Sequence, residues 1–215
     1  MAPEGPYNVG MSSIHVVLMR HGRSGADYEN VHEGRYDSPL TEVGLEQARL
    51  RVKDLREKNL TFNAIISSTL QRARATAQVI AEAYRLQVEP DAAWMEMDNG
   101  PLAGLPFAEA QRLYPKPDFR NPYQNFFGTG ESQWDIYARA GLALQSVVRR
   151  GPGSYLVVAH GMVLTAALWT ICGTPPPASG QGLWFGFGDT GYAILDYYPE
   201  RHVWVLRAFV AGFSS

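Results

Sequence analysis

The chain has 215 residues, a formal net charge of −2, 46% hydrophobic and 19% charged residues, and one cysteine, Cys172. This is enough length for one sizeable core, and the hydrophobic content excludes a disordered segment. The near-balanced charge excludes a general attraction to nucleic acid or to membrane, so an anion site must be a local cluster of cations, while a single cysteine excludes an intrachain disulfide and sets the expectation of a cytoplasmic protein. Residues 1–13 carry Pro, Gly and Ser without a basic start or an apolar stretch, and are expected to be a flexible N-terminal tail rather than a secretory signal.

Residues 14–19 form an apolar, β-branched run that reads as a buried strand. Residues 22–40 are polar and glycine-containing, with a turn signal at Asp37-Ser38-Pro39, and read as a long loop of the functional kind. Thr41 is a helix N-cap followed by Glu42 in the first turn. Leu45, Ala48, Val52 and Leu55 then recur at helical spacing, with Glu46, Arg49, Arg51 and Lys53 off that face, so the helix is expected to end near Lys58. A second strand over residues 62–67 runs into Ser67-Ser68-Thr69, and a helix follows over residues 70–84. A short strand is expected over residues 86–89, irregular chain over 94–106, a short helix over 107–114, and no regular helix from Pro115 to Gln124 because Pro115, Pro117 and Pro122 intervene. A helix over residues 131–150, a strand over 154–159 and a helix over 162–171 come next. After Pro175-Pro176-Pro177, residues 183–210 read as two or three strands near a sheet edge. Strand and helix alternate without repeats, which predicts a three-layer α/β/α sandwich with a mainly parallel sheet. Residues 94–130 are expected to lie as an insertion over the strand C-terminal ends. Cys172 falls in an apolar run and is expected to be a buried small hydrophobe, and the aromatics Trp94, Tyr114, Phe119, Tyr123, Phe126 and Phe127 are expected mostly in the core.

Two strands end alike. The first delivers Arg20-His21-Gly22 and the later one Ala159-His160-Gly161. In open α/β sheets ligands bind outside the strand carboxyl ends, so two histidines leaving such ends suit one site. Either histidine alone is better read as a solvated or strand-end residue; the repeated ending makes coincidence a poor account. A neutral imidazole can attack a phosphoryl group, and arginines beside it keep it unprotonated and hold phosphate oxygens in paired hydrogen bonds. No His-x-x-x-His motif, cysteine pair or Asp-rich cluster accompanies the histidines, so no metal is expected.

Together with Gly34-Arg35-Tyr36-Asp37-Ser38-Pro39-Leu40-Thr41, Gly44, Gln47-Ala48, Ser67-Ser68-Thr69-Leu70-Gln71-Arg72-Ala73, Thr76-Ala77, Glu96, Gly100, Gly104 and Gly130-Glu131-Ser132, these strand ends resemble the histidine phosphatase (phosphoglycerate-mutase-like) superfamily over most of the chain, from about Ile14 to about Cys172. The resemblance implies a single domain of that type over residues 14–215. It implies that His21 is the phospho-acceptor and that Arg20, Arg72 and His160 form the phosphate pocket, with Gly161 at its edge. It implies that Glu96 is the proton donor, protonated to serve the leaving oxygen and then ionised to activate water. Asp98 stands close by as a competing acid, and the Glu-x-x-x-Gly pattern ending at Gly100 favours Glu96. The chain departs from the family pattern at Arg23, Asp27, Ala103 and Met162. Asp27 stands where an asparagine often contacts phosphate, and Asn30, three residues on, is the candidate for that contact. The expectation is a cofactor-free, metal-independent phosphomonoesterase for a small phosphorylated metabolite, with no nucleic acid or membrane partner and a homodimer left open. A mutase-type phosphotransferase and a non-catalytic phospho-ligand module are the alternatives; the short insertion favours hydrolysis over the mutase.

Overall fold

The computed structural model describes residues 12–213. The tail expected over residues 1–13 therefore lies outside them except for Ser12 and Ser13, and the Ser12 hydroxyl donates to the Glu200 carboxylate (2.6 Å). In chain order the elements are β1 (Ile14–Arg20), α1 (Gly25–Glu29), α2 (Glu42–Glu57), β2 (Ala64–Ser67), α3 (Gln71–Tyr84), β3 (Val88–Pro90) and α4 (Phe107–Leu113). Then follow α5 (Gln133–Val148), β4 (Gly153–Ala159), α6 (Gly161–Cys172), β5 (Tyr192–Tyr198) and β6 (Val203–Val210).

β1 is apolar on both faces because both faces are covered. Val16 and Leu18 enter one core with Ile136, Ala140 and Leu144 of α5 and Leu164 and Trp169 of α6. Val17 and Met19 enter the other with Val52 and Leu55 of α2 and Ala73, Ala77 and Ile80 of α3. Among the described residues the sheet has six strands in the order β3-β2-β4-β1-β5-β6. β3, β2, β4 and β1 run parallel, and β5 and β6 add an antiparallel edge. This is the expected three-layer sandwich with a mainly parallel sheet. Thr41 caps α2 as its sequence demands, its hydroxyl accepting from the Gly44 N–H (3.1 Å).

Four local expectations are corrected. The loop over residues 22–40 contains α1, nucleated by a capping box in which the Asp27 carboxylate accepts from the Ser24 N–H (2.9 Å). Cys172 is exposed, because it ends α6 and the left-handed Gly173 turns the chain away from the core. Arg51, placed off the apolar face of its helix, is buried. It bonds Asp54 (2.7 Å) and lies over the Tyr192 ring, 4.9 Å from its centroid. Of the insertion aromatics only Trp94 is a buried core residue; Phe119 and Tyr123 are exposed and Tyr114, Phe126 and Phe127 half-buried. The proline-rich stretch around them is too irregular to bury its own rings. No helix among the described residues is long and apolar enough to cross a membrane.

Candidate active site

The parallel register of β1 and β4 pairs Arg20 with Ala159, so the next residue of each strand leaves the sheet side by side. Those residues are His21 and His160. Both are buried, and their rings meet edge-to-face with centroids 5.0 Å apart. β2 pairs Ser67 with Val158, and Ser68 follows at the same end of the sheet.

The backbone of His21 is held from two sides: its N–H donates to the Ala159 carbonyl and its carbonyl accepts from the Thr190 N–H (3.0 Å each). The Gly22 N–H donates to the Thr76 hydroxyl (3.1 Å). A Cβ on Gly22 would meet the Gly44 carbonyl oxygen at 2.6 Å, and one on Gly44 the Arg23 carbonyl oxygen at 2.3 Å. The first turn of α2 thus lies backbone-to-backbone on the loop that presents the histidine, which only glycine permits at both positions.

The ring of His21 has a definite tautomer. Nδ1 lies 2.7 Å from the Gly22 carbonyl oxygen, which can only accept, so Nδ1 carries the hydrogen. Nε2 is then the free lone pair, and Arg72 Nε–H donates to it (3.2 Å). Burial, then the charges of Arg72 and Arg20, push the imidazole pKa well below its ordinary value, so the ring is neutral at pH 7. His160 is neutral by the same causes: burial first, then Arg72, His21 and Arg20. Its Nε2 lies 2.8 Å from the Ser68 hydroxyl, which itself accepts from the Leu70 N–H (3.3 Å). Assigning the hydroxyl hydrogen to Nε2 leaves the ring hydrogen on Nδ1, which is buried with no hydrogen-bond partner.

Arg72 enters from the first turn of α3 and is fully buried. Its Nη1 and Nη2 donate to the carbonyls of Tyr36 and Gly34 (2.9 Å each), fixing the loop above the pocket. Arg20 donates from Nη1 to the Phe187 carbonyl (2.9 Å) and lies 3.9 Å from Asp189. Gly161 opens α6 with free space where a side chain would stand. Glu96 sits at the start of the same helix. Its Oε1 accepts from the Met97 and Val163 N–H groups (2.8 and 3.2 Å) and its Oε2 from Met162 N–H (3.1 Å), an acid at a helix N-terminus. The Glu96 carbonyl accepts from Arg139 (3.3 Å), which also grips Glu131 through two 2.7 Å contacts.

Asn30 is not brought to this group. It ends α1 in the left-handed conformation (φ 55°), is exposed, and donates its amide to the Tyr28 carbonyl (3.3 Å). The phosphate contact expected of it is therefore withdrawn. Asp27 caps α1, and Arg23 is anchored on the buried Asp189 (2.7 Å). Asp98 is tied to Arg35 (3.4 Å) and accepts from the Gly100 N–H (2.9 Å). The residue the sequence reading missed is Glu33. Its carboxylate lies 3.3 Å from Arg72 Nε and 3.8 Å from His21 Nε2. It stands in a loop with no periodicity to mark which side chains turn inward; the only local signal was an acid beside Gly34.

A neutral, oriented imidazole lone pair, two guanidinium groups, a second imidazole and the Glu33 carboxylate converge at the C-terminal end of the sheet, with the Glu96 carboxylate at the start of α6. The arrangement can bind an anion and attack it. The sequence model of the histidine phosphatase superfamily (branch 1) matches residues 16–210. The Yersinia enterocolitica protein described as a probable phosphoglycerate mutase GpmB is 34% identical over 169 residues, covering 77% of this chain and 78% of that protein. The solved structure of Bacillus stearothermophilus YhfR superposes with a TM-score of 0.76 at 25% identity, covering 94% of this chain and 98% of that one. A mycobacterial glucosyl-3-phosphoglycerate phosphatase superposes with a TM-score of 0.77 at 22% identity, covering 93% and 100%.

Proposed function

Because this chain belongs to the histidine phosphatase superfamily, we propose that it is a metal-independent phosphomonoesterase working through phospho-His21 on a small phosphorylated metabolite. The single observation that carries this reading is the lone pair of His21 Nε2. It is fixed by the Nδ1–Gly22 hydrogen bond, kept unprotonated by burial and two arginines, and aimed at the group that would hold phosphate.

In the free protein Arg72 Nε–H occupies that lone pair. A bound phosphoryl group offers Arg72 stronger, charge-assisted acceptors, so binding substrate frees the nucleophile at the moment it is needed. His21 Nε2 attacks phosphorus and the ester P–O bond breaks. Arg72, Arg20 and His160 Nδ1–H stabilise the charge on the transferring oxygens. Glu96 protonates the leaving oxygen and, once ionised, takes a proton from the water that attacks phosphohistidine. Hydrolysis restores neutral His21 and releases phosphate.

Fixed cations supply the positive charge, and among the described residues no three His, Cys, Asp or Glu side chains are grouped to hold a metal ion. Turnover of an aryl phosphate is therefore expected to be unchanged after exhaustive treatment with EDTA. Loss restored by a divalent ion would turn the reading to a metallophosphatase. Absence of turnover on any phosphomonoester would turn it to a binding module.

Arg72→Lys is expected to lower kcat/KM by about 10²-fold, the scale of losing one preorganised donor, and to weaken competitive inhibition by inorganic phosphate. Lysine cannot span His21, Gly34 and Tyr36 at once, as the guanidinium does. Undiminished phosphate inhibition in this variant would place the phosphate elsewhere.

The similarity to proteins described as probable phosphoglycerate mutases favours one second reading, transfer of the phosphoryl group to another hydroxyl instead of water. Product analysis with phosphoglycerate separates the two: free phosphate supports hydrolysis, and the positional isomer supports the mutase.

A further inference from the structure

Glu33 is an acid inside a pocket otherwise built to hold an anion. Its side chain is 18% exposed, and its two oxygens do different things. Oε1 faces Arg72 Nε (3.3 Å) and accepts from the Ser24 hydroxyl at the start of α1. Oε2 is the oxygen nearest His21 Nε2, at 3.8 Å. A phosphorus atom in line for attack lies about 3–3.5 Å from that nitrogen, and its non-bridging oxygens splay sideways, about as far from Nε2 as Glu33 Oε2 is. A phosphoryl group gripped by Arg72, which Glu33 Oε1 also faces, and attacked by His21 is therefore placed beside Glu33. Two negative groups at that distance repel strongly in a partly buried site.

We propose that Glu33 is a phosphate-contacting acid whose neutral form donates a hydrogen bond from Oε2 to a phosphoryl oxygen held by Arg72, so that oxyanion binding takes up one proton. This rests on the reading of the pocket as a phosphate site. The proton remains on Glu33 throughout the transfer. The bond formed is His21 Nε2–P, the bond broken is the ester P–O, and the leaving oxygen takes its proton from Glu96.

The surroundings of Glu33 suit this role. Arg72 comes from α3, Arg20 and His21 from the end of β1, Ser24 and Asp27 from α1, and His32 is its chain neighbour. Burial raises the carboxyl pKa and Asp27 adds to it, while Arg72, Ser24 and Arg20 act the other way. The net direction is upward, towards the range in which a neutral acid is available. His21 and His160 are held neutral, and burial lowers the pKa of His32, so none of the three has a positive charge to lose as the pH rises from neutrality.

The test is direct binding of tungstate, a tetrahedral dianion whose own charge is constant across neutral and mildly alkaline pH, followed by calorimetry. For the wild-type chain the Kd is expected to rise by about tenfold per pH unit above the Glu33 pKa, the slope of one linked proton. Calorimetry in buffers of different ionisation enthalpy should show that proton being taken up. In Glu33→Gln, whose amide donates without titrating, the slope and the proton uptake should vanish and alkaline binding should be tighter than in the wild type. Glu33→Ala should lose the slope as well but bind more weakly than Glu33→Gln, since it lacks the donor. A slope and a proton uptake retained in both variants would overturn the assignment of the proton to Glu33. Loss of tungstate binding in Glu33→Gln at every pH, in a chain of unchanged Tm, would overturn it too. A wild-type chain that binds no oxyanion at any pH would instead overturn the phosphate reading itself.

Discussion

Replacing His21 by alanine is expected to lower kcat on every phosphomonoester by roughly 10⁴–10⁶-fold, the scale on which removal of a covalent nucleophile acts. It should also abolish the acid-labile label that a phosphorylated substrate leaves on the chain. The expectation follows from geometry. Nε2 is the ring nitrogen that carries the lone pair, because Nδ1–H is committed to the Gly22 carbonyl. No second histidine can take over. His160 lies with its ring centroid 5.0 Å away, and its Nε2 is engaged by Ser68. Deleting the imidazole also removes the acceptor of Arg72 Nε, so phosphate binding and Tm are measured alongside. Both should persist, since the guanidinium keeps its bonds to Gly34 and Tyr36. A variant with near-normal kcat would end the phosphohistidine mechanism, whatever became of its stability.

The part of the site that was legible in sequence is the part that regular structure places. Two parallel strands deliver their next residues to one end of a sheet. His21 and His160 could therefore be assigned to one locus from their common ending, and the register of β1 with β4 is what puts them side by side. Arg72 was assigned only through the family resemblance; its place in the fold supplies the physical reason, since it opens α3 directly after the Ser67-Ser68-Thr69 strand end, and the first turn of such a helix faces the same locus. The irregular segments were not legible in this way. Glu33 and Asn30 lie in one loop of similar polarity, and no period separates the inward residue from the outward one. The placement is decided by α1, whose capping box at Ser24 and Asp27 turns the chain, ends it in a left-handed Asn30 and returns Glu33 beneath Arg72. The Ser-x-x-Asp signal for that helix was present in the sequence, but it spans a single short turn that composition marks as loop. The insertion failed for the opposite reason. Its aromatic content reads as core, while its prolines prevent the regular backbone that would bury those rings, so Phe119 and Tyr123 remain outside.

Glu96→Gln is expected to slow cleavage of an alkyl phosphate by roughly 10²–10⁴-fold, the range for a general acid whose leaving oxygen needs a proton. The loss on p-nitrophenyl phosphate should be distinctly smaller, because nitrophenolate departs without one. The difference between substrates matters more than either loss. Glu96 accepts from the Met97, Met162 and Val163 N–H groups at the start of α6. A glutamine has one oxygen for those donors, and its NH₂ group would face an N–H. Leaving such a donor unpaired costs about 1–3 kcal/mol, and it disturbs the turn that carries His160 and Gly161 whatever the leaving group. That structural cost falls on both substrates alike, whereas loss of the proton falls on the alkyl ester alone. The burst of nitrophenol in single-turnover mixing isolates the first step from the later attack of water, in which Glu96 also serves as base. A burst slowed as much as alkyl-phosphate cleavage would show that Glu96 supports the helix and passes no proton. Asp98 would gain little from that result, since Arg35 and the Gly100 N–H already engage both of its oxygens. Glu33, 3.8 Å from the nucleophile, would then be the acid to replace next.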